Sequence, residues 1–379
     1  MKGIVTAIEF GSSKVACLTG VKRPFGRFEL LYATHCPYAG FRKKSWLQGD
    51  AVGYAVSEAI RKTLGELDRK IDSVYVGIPG EFTSVIQTVS EMEVQTGKVT
   101  ENDMDTLKHT VSMQEKPDHT ASLKSYAAFY RLDGNEPVKH PLGIKASRLS
   151  CEYINIYADK AFIQDTKDIC STIGVAIDGC VCVPEAMAKM VALDQSADFE
   201  IIVDAGYYVT DITITYGTKP VFHRTLEVGG YHLANDIGLC LDIPLEEAES
   251  LKRKMTVDTS LKVLPSIDEK PLDYENRPKT TATGGSAYDI MMARLDEICT
   301  LIGQALKQSG MPLKRDTRLH LTGGGVSMIE GIERYFHQRL DRPVRIVDTG
   351  MKKADAACYT GALATLFHAF MLEDKGTKS

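Results

Sequence analysis

The chain has 379 residues, which is too long for one compact core and predicts two or more domains. Hydrophobic residues make up 44% and charged residues 25%, as in soluble globular proteins, and the net charge of -5 excludes nucleic acid as the main partner. The nine cysteines are scattered, which favours a reducing compartment. No stretch reaches the roughly 18 apolar residues of a transmembrane helix, and no signal peptide pattern opens the chain, so we expect a cytoplasmic protein.

The first predicted element is a three-stranded antiparallel meander whose first turn carries an acid and a glycine. The stretch VTAIEFGSSKVACLTG, residues 5–20, reads as an apolar strand, then Glu9, one residue, Gly11, two residues and a second strand. FELLYA, residues 28–33, is the third strand. Alternating apolar residues on either side of short polar turns are typical of such a meander.

A helix, a strand and an inserted subdomain are predicted next. Apolar spacing of three and four predicts a helix over 50–69 with Asp50 as its N-cap, and residues 73–78 read as a buried strand. Residues 84–161 then hold strand-like runs around a helix that is opened by Thr100 and an acid three residues later. These elements are enough for a small α+β subdomain.

The opening meander is repeated in the second half of the chain. DAGYYVTDITITYG, which begins at Asp204, again reads as strand, acid, one residue, glycine, two residues and strand. Glu9 matches Asp204 and Gly11 matches Gly206, in each case 195 residues further along. A third strand follows in both halves. The sequence therefore predicts a duplicated fold.

The rest of the second half is predicted to be largely helical. Residues 242–255 form a helix whose acidic start and basic end complement the helix dipole. The polar residues 266–286 are interpreted as a loop or a short hairpin. LHLTGGG, residues 319–325, reads as a strand running into three glycines, and an amphipathic helix is predicted over 326–340.

Two facing turns of this kind can form a cleft for a nucleotide. Backbone N–H groups beside glycine cradle phosphate, and the first turn offers Gly11, Ser12, Ser13 and Lys14. Asp204 can hold a water on magnesium, which binds through few carboxylates and several waters. Each element alone is more often an ordinary turn, a strand-to-helix joint or a surface pair. Their order and spacing together favour a nucleotide cleft.

These motifs resemble the actin/Hsp70/sugar-kinase ATPase superfamily, and within it the FtsA family of actin-like bacterial cell-division proteins. The likeness is carried by five segments in the order found in the superfamily and by the position of the insert. The five segments are Glu9–Lys14, Asp204–Thr210, Gly229-Gly230, Ala248–Lys252 and Leu321–Gly325. The segments GFRKKSWLQGD, SVYVGIPGEFTS, VTENDMD and HPLGIKASRL are also similar to FtsA.

The resemblance implies an α/β, actin-like duplicated ATPase fold with two large domains around a nucleotide cleft and an inserted subdomain 1C, also called an SHS2 domain, in the first half. On this basis the expected boundaries are 1–83 for the first part of subdomain 1A, 84–161 for 1C, 162–198 for the rest of 1A, 199–243 for the first part of 2A, 244–308 for 2B, 309–352 for the rest of 2A, and 353–379 for a return to 1A with a short tail.

The resemblance also implies ATP with Mg2+ as cofactors and assigns residues to them. The residues expected to contact the nucleotide are Gly11, Ser12, Ser13, Lys14, Gly206, Tyr207, Gly229, Gly230, Glu249, Lys252, Gly323, Gly324, Gly325 and Met328. Asp204 and Glu9 are expected to serve the metal. No side chain is assigned as catalytic.

Departures from the FtsA pattern predict weak or no ATP hydrolysis. Glu9 stands where the family usually has Asp, and Tyr207 and Tyr208 stand where many members have glycines. In VPEAMAKM, Pro184 occupies the place of an acid that orients water, and Glu185 lies one position further on. The tail after the last predicted helix is short and lacks the family's basic amphipathic helix, so direct membrane binding is not expected.

The implied partners are the C-terminal peptide of FtsZ on subdomain 2B, further copies of the chain in filaments, and other division proteins through 1C. Recruitment to the inner face of the membrane would then depend on partners. Two alternatives remain open at this point. One is a divergent actin-like scaffold similar to PilM of pilus assembly, and the other is a small-molecule kinase of the same superfamily.

Overall fold

The structure is a computed structural model that describes residues 3–23, 27–67, 70–112, 116–191, 198–257, 287–351 and 357–376. The predicted loop or hairpin at 266–286 lies outside these ranges. The strands are β1 (Ile4–Phe10), β2 (Lys14–Lys22), β3 (Phe28–Pro37), β4 (Phe41–Arg42), β5 (Ser45–Trp46), β6 (Ser73–Ile78), β7 (Thr83–Glu93), β8 (Thr120–Leu132), β9 (Arg148–Asp159), β10 (Ala176–Cys182), β11 (Phe199–Ala205), β12 (Thr210–Tyr216), β13 (Lys219–Leu226), β14 (Leu319–Thr322) and β15 (Val344–Ile346). The helices are α1 (Gly49–Leu67), α2 (Glu101–Ser112), α3 (Lys160–Thr172), α4 (Val183–Val191), α5 (Gly230–Leu241), α6 (Leu245–Lys254), α7 (Ala287–Gln308), α8 (Ile332–Leu340) and α9 (Thr360–Gly376).

Two five-stranded sheets of the same topology form the two halves of the molecule. The first has the order β10-β6-β1-β2-β3 and the second β13-β12-β11-β14-β15, so each places its meander beside two parallel strands. The register agrees as well, because Phe10 pairs with Val15 and Ala205 pairs with Thr210. Each residue of the second pair lies 195 positions after its counterpart in the first pair. The predicted duplication is confirmed.

Apolar helix faces cover both sheets, which explains where the cores form. Small and β-branched residues of α1 are buried against one face of the first sheet, and apolar residues of α3 join the same core. The other face of the first sheet packs on α4 and α9. In the second half, α5, α7 and α8 bury their apolar faces in one larger cluster.

The inserted segment folds as a three-stranded antiparallel sheet with one helix. Its order is β7-β9-β8, and α2 packs against it over a separate apolar core. The capping pair is as predicted, since the Thr100 N–H donates to Asp103 Oδ2 at 2.8 Å and the Asp103 N–H donates to Thr100 Oγ1 at 3.2 Å.

The insert is bonded to both halves of the molecule. The Tyr126 hydroxyl donates to the Pro220 carbonyl at 2.8 Å, and Tyr216 donates to the Pro137 carbonyl at 3.0 Å. Toward the first half, Lys124 pairs with Glu185 at 2.5 Å. The sheet of the insert also contributes Phe129 to the core of the second half.

Two predicted helix starts are wrong. Helix α1 begins at Gly49, so Asp50 lies inside its first turn and is not its N-cap. Helix α8 begins at Ile332, after a run of turns, and not directly after the three glycines. Gly331 precedes α8 with a φ of 84°, a left-handed conformation that suits glycine. The glycine run therefore does not sit at a helix N-terminus.

A short hairpin that was not predicted lies near the end of β1. Strands β4 and β5 are joined by Lys43 and Lys44, whose φ values of 52° and 57° fit the two-residue turn that matches strand twist. Trp46 anchors the hairpin by donating to Asp165 Oδ2 at 2.9 Å and by stacking on Phe162. Within the described ranges, none of the helices has the length and apolar character needed to cross a bilayer.

Candidate functional site

A cavity of about 270 Å³ lies between the two sheets, at the turns that follow β1 and β11. Its lining brings together most of the predicted site residues, and they come from both halves of the chain. The predicted residues that line it are Glu9, Gly11, Ser12, Ser13, Lys14, Asp204, Gly206, Tyr207, Gly323, Gly324, Gly325 and Met328.

The two turns have the same backbone geometry. The Gly11 N–H donates to the Lys14 carbonyl at 2.9 Å, and the Gly206 N–H donates to the Val209 carbonyl at 2.9 Å. A Cβ added at Gly11 would lie 3.1 Å from the Lys14 carbonyl oxygen, and one added at Gly206 would lie 3.0 Å from that of Val209. Each turn therefore closes tightly on itself, and glycine leaves its cavity side open to a ligand.

The turns also contact each other across the cleft. The Tyr208 N–H donates to Ser12 Oγ at 3.1 Å, and the Ser12 side chain is buried. On the first turn, the Tyr38 hydroxyl donates to the Gly11 carbonyl at 2.9 Å. The amide of the second turn is thus paired with a hydroxyl of the first.

The glycine run after β14 forms one wall of the cavity. Its backbone packs so closely that a Cβ at Gly325 would overlap the Gly206 carbonyl oxygen. A Cβ at Gly323, where φ is 93°, would overlap Asp204 Oδ1. Side chains are therefore excluded here, and the wall offers backbone to a flat ligand. Met328 extends the wall and is 52% exposed.

Three of the carboxyl groups on the cavity lining have pKa values raised to about 7. Burial raises the pKa of Glu9 to about 7, although Lys14 opposes the shift. Burial and the neighbouring Asp211 raise the pKa of Asp204 to about 7. Burial raises the pKa of Asp211 to about 7 as well, against a hydrogen bond from Thr225. Carboxylates that are costly to ionise in place are typical of sites that bind cations or protons.

Sequence reasoning missed Asp211. It lies directly opposite Asp204 on the paired strand, and its carboxylate lies against Gly80 of the first half. His223 supports it from β13, with Nε2 at 3.7 Å from Asp211 Oδ1 and Nδ1 at 3.0 Å from Thr213 Oγ1. The available signal was the second acid of DAGYYVTD, which the hairpin register places beside the first.

Four of the predicted nucleotide contacts lie behind the cavity wall. They are Gly229, Gly230, Glu249 and Lys252. The Gly230 N–H donates to the Gly206 carbonyl at 2.9 Å, and a Cβ at Gly229 would lie 2.5 Å from the same oxygen. Lys252 is 1% exposed, donates to the Gly230 carbonyl at 3.1 Å and pairs with Glu249 at 2.8 Å.

These four residues therefore support the second turn from behind in this structure. Their contact with a nucleotide stays a prediction. The residue of α6 that lines the cavity is Arg253, which also pairs with Glu249 at 2.8 Å. Sequence reasoning did not select Arg253, because it took the buried lysine of the same helix.

Two further glutamates, Glu185 and Glu81, are buried close to the cavity. Glu185 is buried and pairs with Lys124 at 2.5 Å and with Lys189 at 2.8 Å, and Val183 lines the cavity in its neighbourhood. Glu81, which was not selected, follows the carboxyl end of the neighbouring parallel strand β6, lines the cavity and is 7% exposed.

The two tyrosines of the second turn form an aromatic cluster. Their ring centroids are 4.8 Å apart, and both contact Tyr231, at 5.6 Å from Tyr207 and 4.9 Å from Tyr208. The guanidinium of Arg42, on the hairpin, lies 6.0 Å from the Tyr208 ring. The rings therefore pack beside the turn while its glycine still faces the cavity.

The residues present fit a nucleotide with magnesium. Within the part of the chain that the structure describes, no three His, Cys, Asp or Glu side chains come together closely enough to hold a metal ion unaided. Magnesium keeps several waters and takes one or two carboxylates together with phosphate oxygens, so Glu9 and Asp204 fit such a site. The cradle between Gly11 and Gly206 and the Lys14 cation fit phosphate.

Comparison with known protein families identifies the group to which this chain belongs. The family model described as "Cell division protein FtsA" matches residues 201–365, and the model described as "SHS2 domain inserted in FTSA" matches residues 80–157. Together they cover more than half of the chain. The chain belongs to the FtsA family.

Individual relatives agree with this assignment along nearly the whole chain. The cell division protein FtsA of Neisseria meningitidis serogroup B is 24% identical over 344 residues, covering 90% of this chain and 83% of the relative. FtsA of Escherichia coli K12 is 23% identical over 380 residues, covering 96% of this chain and 90% of the relative. The expected family and its inserted domain are confirmed.

Solved structures confirm the actin-like ATPase fold. A chain of the PilM-PilN type IV pilus biogenesis complex superposes with a TM-score of 0.64 at 14% identity, over 98% of both chains. MreB5 of Spiroplasma citri bound to ADP superposes with a TM-score of 0.51 at 12% identity, over 98% of this chain and 99% of that one. At these identities the likeness establishes the fold alone, so the PilM-like alternative is less supported than the FtsA assignment.

Proposed function

We propose that this FtsA-family chain binds ATP with Mg2+ in the cavity between its two turns. The observation that carries the proposal is the repeated turn, since Gly11 and Gly206 close the same tight hairpin from opposite sides of one cavity. Two such turns offer converging N–H groups to a phosphate chain, and Lys14 adds a positive charge.

Each part of the nucleotide has candidate partners on the cavity lining. The phosphates would lie between the turns, with Lys14 as the cation. Glu9 and Asp204 would hold waters of the magnesium ion, which would offset part of the negative charge of the carboxylates and the phosphates. The backbone at Gly323–Gly325 and the side chain of Met328 would form the surface for ribose and adenine.

The cellular role that we propose is that of an actin-like cell-division protein. The chain would assemble into filaments, bind the C-terminal peptide of FtsZ on residues 244–308, and contact other division proteins through the inserted subdomain. It would work in the cytoplasm and reach the inner face of the membrane at the division site through partners. The support is the match of both family models to this chain.

We further propose that ATP hydrolysis is weak. Val183 lines the cavity, the next residue is Pro184 and not an acid, and Glu185 is paired with Lys124 and Lys189. The Tyr208 amide of the second turn is paired with Ser12 Oγ. Both features favour holding a nucleotide over cleaving it.

Binding is tested by thermal unfolding with and without nucleotide. ATP with Mg2+ at 100 times its Kd should stabilise the fold by about 2.7 kcal/mol, and ATP with a chelator should give a smaller shift. An equal concentration of inorganic triphosphate separates phosphate binding from nucleoside recognition. No shift in melting temperature with either ATP or ADP would reject the nucleotide proposal.

The division role is tested separately, by titrating the FtsZ C-terminal peptide of the same organism against the full chain. We expect saturable binding that a scrambled peptide does not reproduce. If ATP binds and the peptide does not at high micromolar concentration, the chain is an actin-like scaffold with a different partner, as in the PilM-like alternative.

A further inference from the structure

Glu81 is a buried acid that the proposed site has not used. It lies in a short 3-10 helix, Gly80–Phe82, which follows the carboxyl end of β6. The Lys44 N–H donates to its Oε1 at 2.6 Å, whereas its Oε2 is buried without a hydrogen-bond partner. A buried carboxylate oxygen that lacks a partner is costly, and such atoms are concentrated at functional sites.

Glu81 ends a row of acids that crosses the cavity. Glu9, Asp204, Asp211 and Glu81 all line it, and each of the last three raises the pKa of the acid before it. Lys14 favours ionisation of Glu9 and Asp204, at the phosphate turns. Asp211 and Glu81 lie at the other end, where Asp211 packs against Gly80. The row therefore divides into Glu9 and Asp204, which suit a metal ion, and Asp211 and Glu81, which lie further from the phosphate turns.

The other acids near the turns are engaged elsewhere. Glu9 and Asp204 are the candidates for magnesium, and Glu185 is neutralised by two lysines. Asp211 accepts a hydrogen bond from Thr225 and has His223 beside it. Among the described residues that line the cavity, Glu81 is the carboxylate with an oxygen that is both buried and without a hydrogen-bond partner.

We propose that Glu81 is the general base of a slow ATP hydrolysis in this cavity, an inference that rests on the proposed function. As the oxygen of the attacking water bonds to the γ-phosphorus, the bond from that phosphorus to the bridging oxygen breaks, and its electron pair leaves with ADP. The proton of the water passes to Glu81 Oε2 and from there to the released phosphate or to solvent.

The hairpin of Phe41–Trp46 fixes this base. The Lys44 N–H in its turn donates to Oε1, so the carboxylate is held through one oxygen while the buried Oε2 has no hydrogen-bond partner. The same turn reaches the second half of the molecule, because Lys43 Nζ lies 3.6 Å from Glu227 Oε2. The hairpin therefore contacts Glu81 of the first half and Glu227 of the second.

The charged groups around Glu81 set the direction of its pH dependence. Burial, and then Glu227, raise the pKa of its carboxyl, whereas the Lys44 N–H, the charge of Lys44 and Arg42 oppose that shift. Asp211 lies next to it from β12. A base must be ionised to accept a proton, so the rate of phosphate release should rise with pH through this raised pKa.

The test compares two buried glutamates that follow neighbouring strands. E81Q keeps the acceptor for Lys44 and removes the base, so phosphate release from ATP with Mg2+ should fall at least about 10-fold while ATP affinity changes less than about threefold. E185Q should release phosphate at a rate within about twofold of the parent. E81D, which keeps a shorter acid, should give an intermediate rate, and it replaces E81Q if that variant does not fold.

Three results overturn the proposal. The first is E81Q or E81D releasing phosphate at the parent rate. The second is a parent chain that binds ATP, as judged by thermal shift, yet releases no phosphate above the blank over hours. The third is a rate of phosphate release that falls as far in E185Q as in E81Q. Loss of the ATP-induced thermal shift in the parent itself instead overturns the proposed function.

Discussion

The two turns at the cavity have the same backbone hydrogen bonds but carry different charged side chains. Position by position, 195 residues apart, Lys14 of the first turn corresponds to Val209 of the second, and Ala16 corresponds to Asp211. At these matched positions the first turn therefore has a cation and one acid, and the second has two acids and no cation. Backbone hydrogen bonds require only glycine at the turn, so duplication preserves the cradle and leaves the side chains free to diverge.

The surroundings of the turns differ in the same way. The first turn faces the cleft with small hydroxyl side chains at Ser12 and Ser13. The second carries Tyr207 and Tyr208, whose rings pack on Tyr231 of α5. Aromatic packing holds the second turn in place, whereas the first is held by hydrogen bonds such as the one from Tyr38. One side of the cleft is thus rigid by packing and the other by polar contacts.

The largest expected effect tests the unequal division of charge. Lys14→Met removes the cation of the first turn and should weaken the binding of ATP with Mg2+ by about 10- to 100-fold, because hydrogen bonds to charged groups contribute about 1.5–3 kcal/mol. Affinity is measured by titration calorimetry. Lys108→Met, on an exposed position of α2, is the control and should bind like the parent. Equal affinity for both variants would mean that the first turn does not hold the phosphates.

A second, smaller effect concerns the extra acid of the second half. The pKa of Asp211 rises from its ordinary value of 3.8 to about 7 in the folded chain, so between these pH values the folded state binds more protons than the unfolded one. Raising the pH through this window therefore lowers the free energy of unfolding of the nucleotide-free protein.

Asp211→Asn keeps the acceptor for Thr225 and removes the charge. Without nucleotide and with a chelator present, this variant should be more stable than the parent at pH 8, by on the order of 1–2 kcal/mol, and equally stable near pH 4. Urea unfolding at both pH values measures the difference. A variant that is less stable than the parent at pH 8 would contradict the unfavourable burial of Asp211.

The smallest effect concerns the contact between the turns. Ser12→Ala removes the acceptor of the Tyr208 N–H, which should lower the free energy of unfolding by about 0.5–1 kcal/mol. Ser13→Ala is the matched control, because Ser13 contributes its backbone carbonyl to Tyr38. Equal stability of the two variants in thermal unfolding would show that the turns are not coupled through Ser12.

The repeat could be predicted from sequence because it rests on local rules. The sequence itself shows a glycine at each turn, an acid at each strand end and alternating apolar residues along the strands. These features predicted the matching positions of Glu9 and Asp204 correctly. The capping pair of Thr100 and Asp103 was predictable for the same reason, since both partners lie within one helical turn.

What sequence reasoning missed depends on contacts between distant segments. Glu81 enters the cavity because β6 lies beside β1 in the sheet, and the letters around it show only a strand end. The hydrogen bond from Lys252 to the Gly230 carbonyl is one such contact, and the contact of Lys252 with a nucleotide stays a prediction. The buried pairing of Glu185 with Lys124 joins residues 61 apart in the chain. No local pattern encodes such pairings.

The bonds of the inserted subdomain have a consequence for the cleft. Tyr126 and Lys124 lie on one strand, β8, yet one is bonded to Pro220 of the second half and the other to Glu185 of the first. If the halves separate to admit a ligand, one of these ties must break or the strand must tilt. Opening of the cleft would therefore change the contacts between the insert and one half of the molecule.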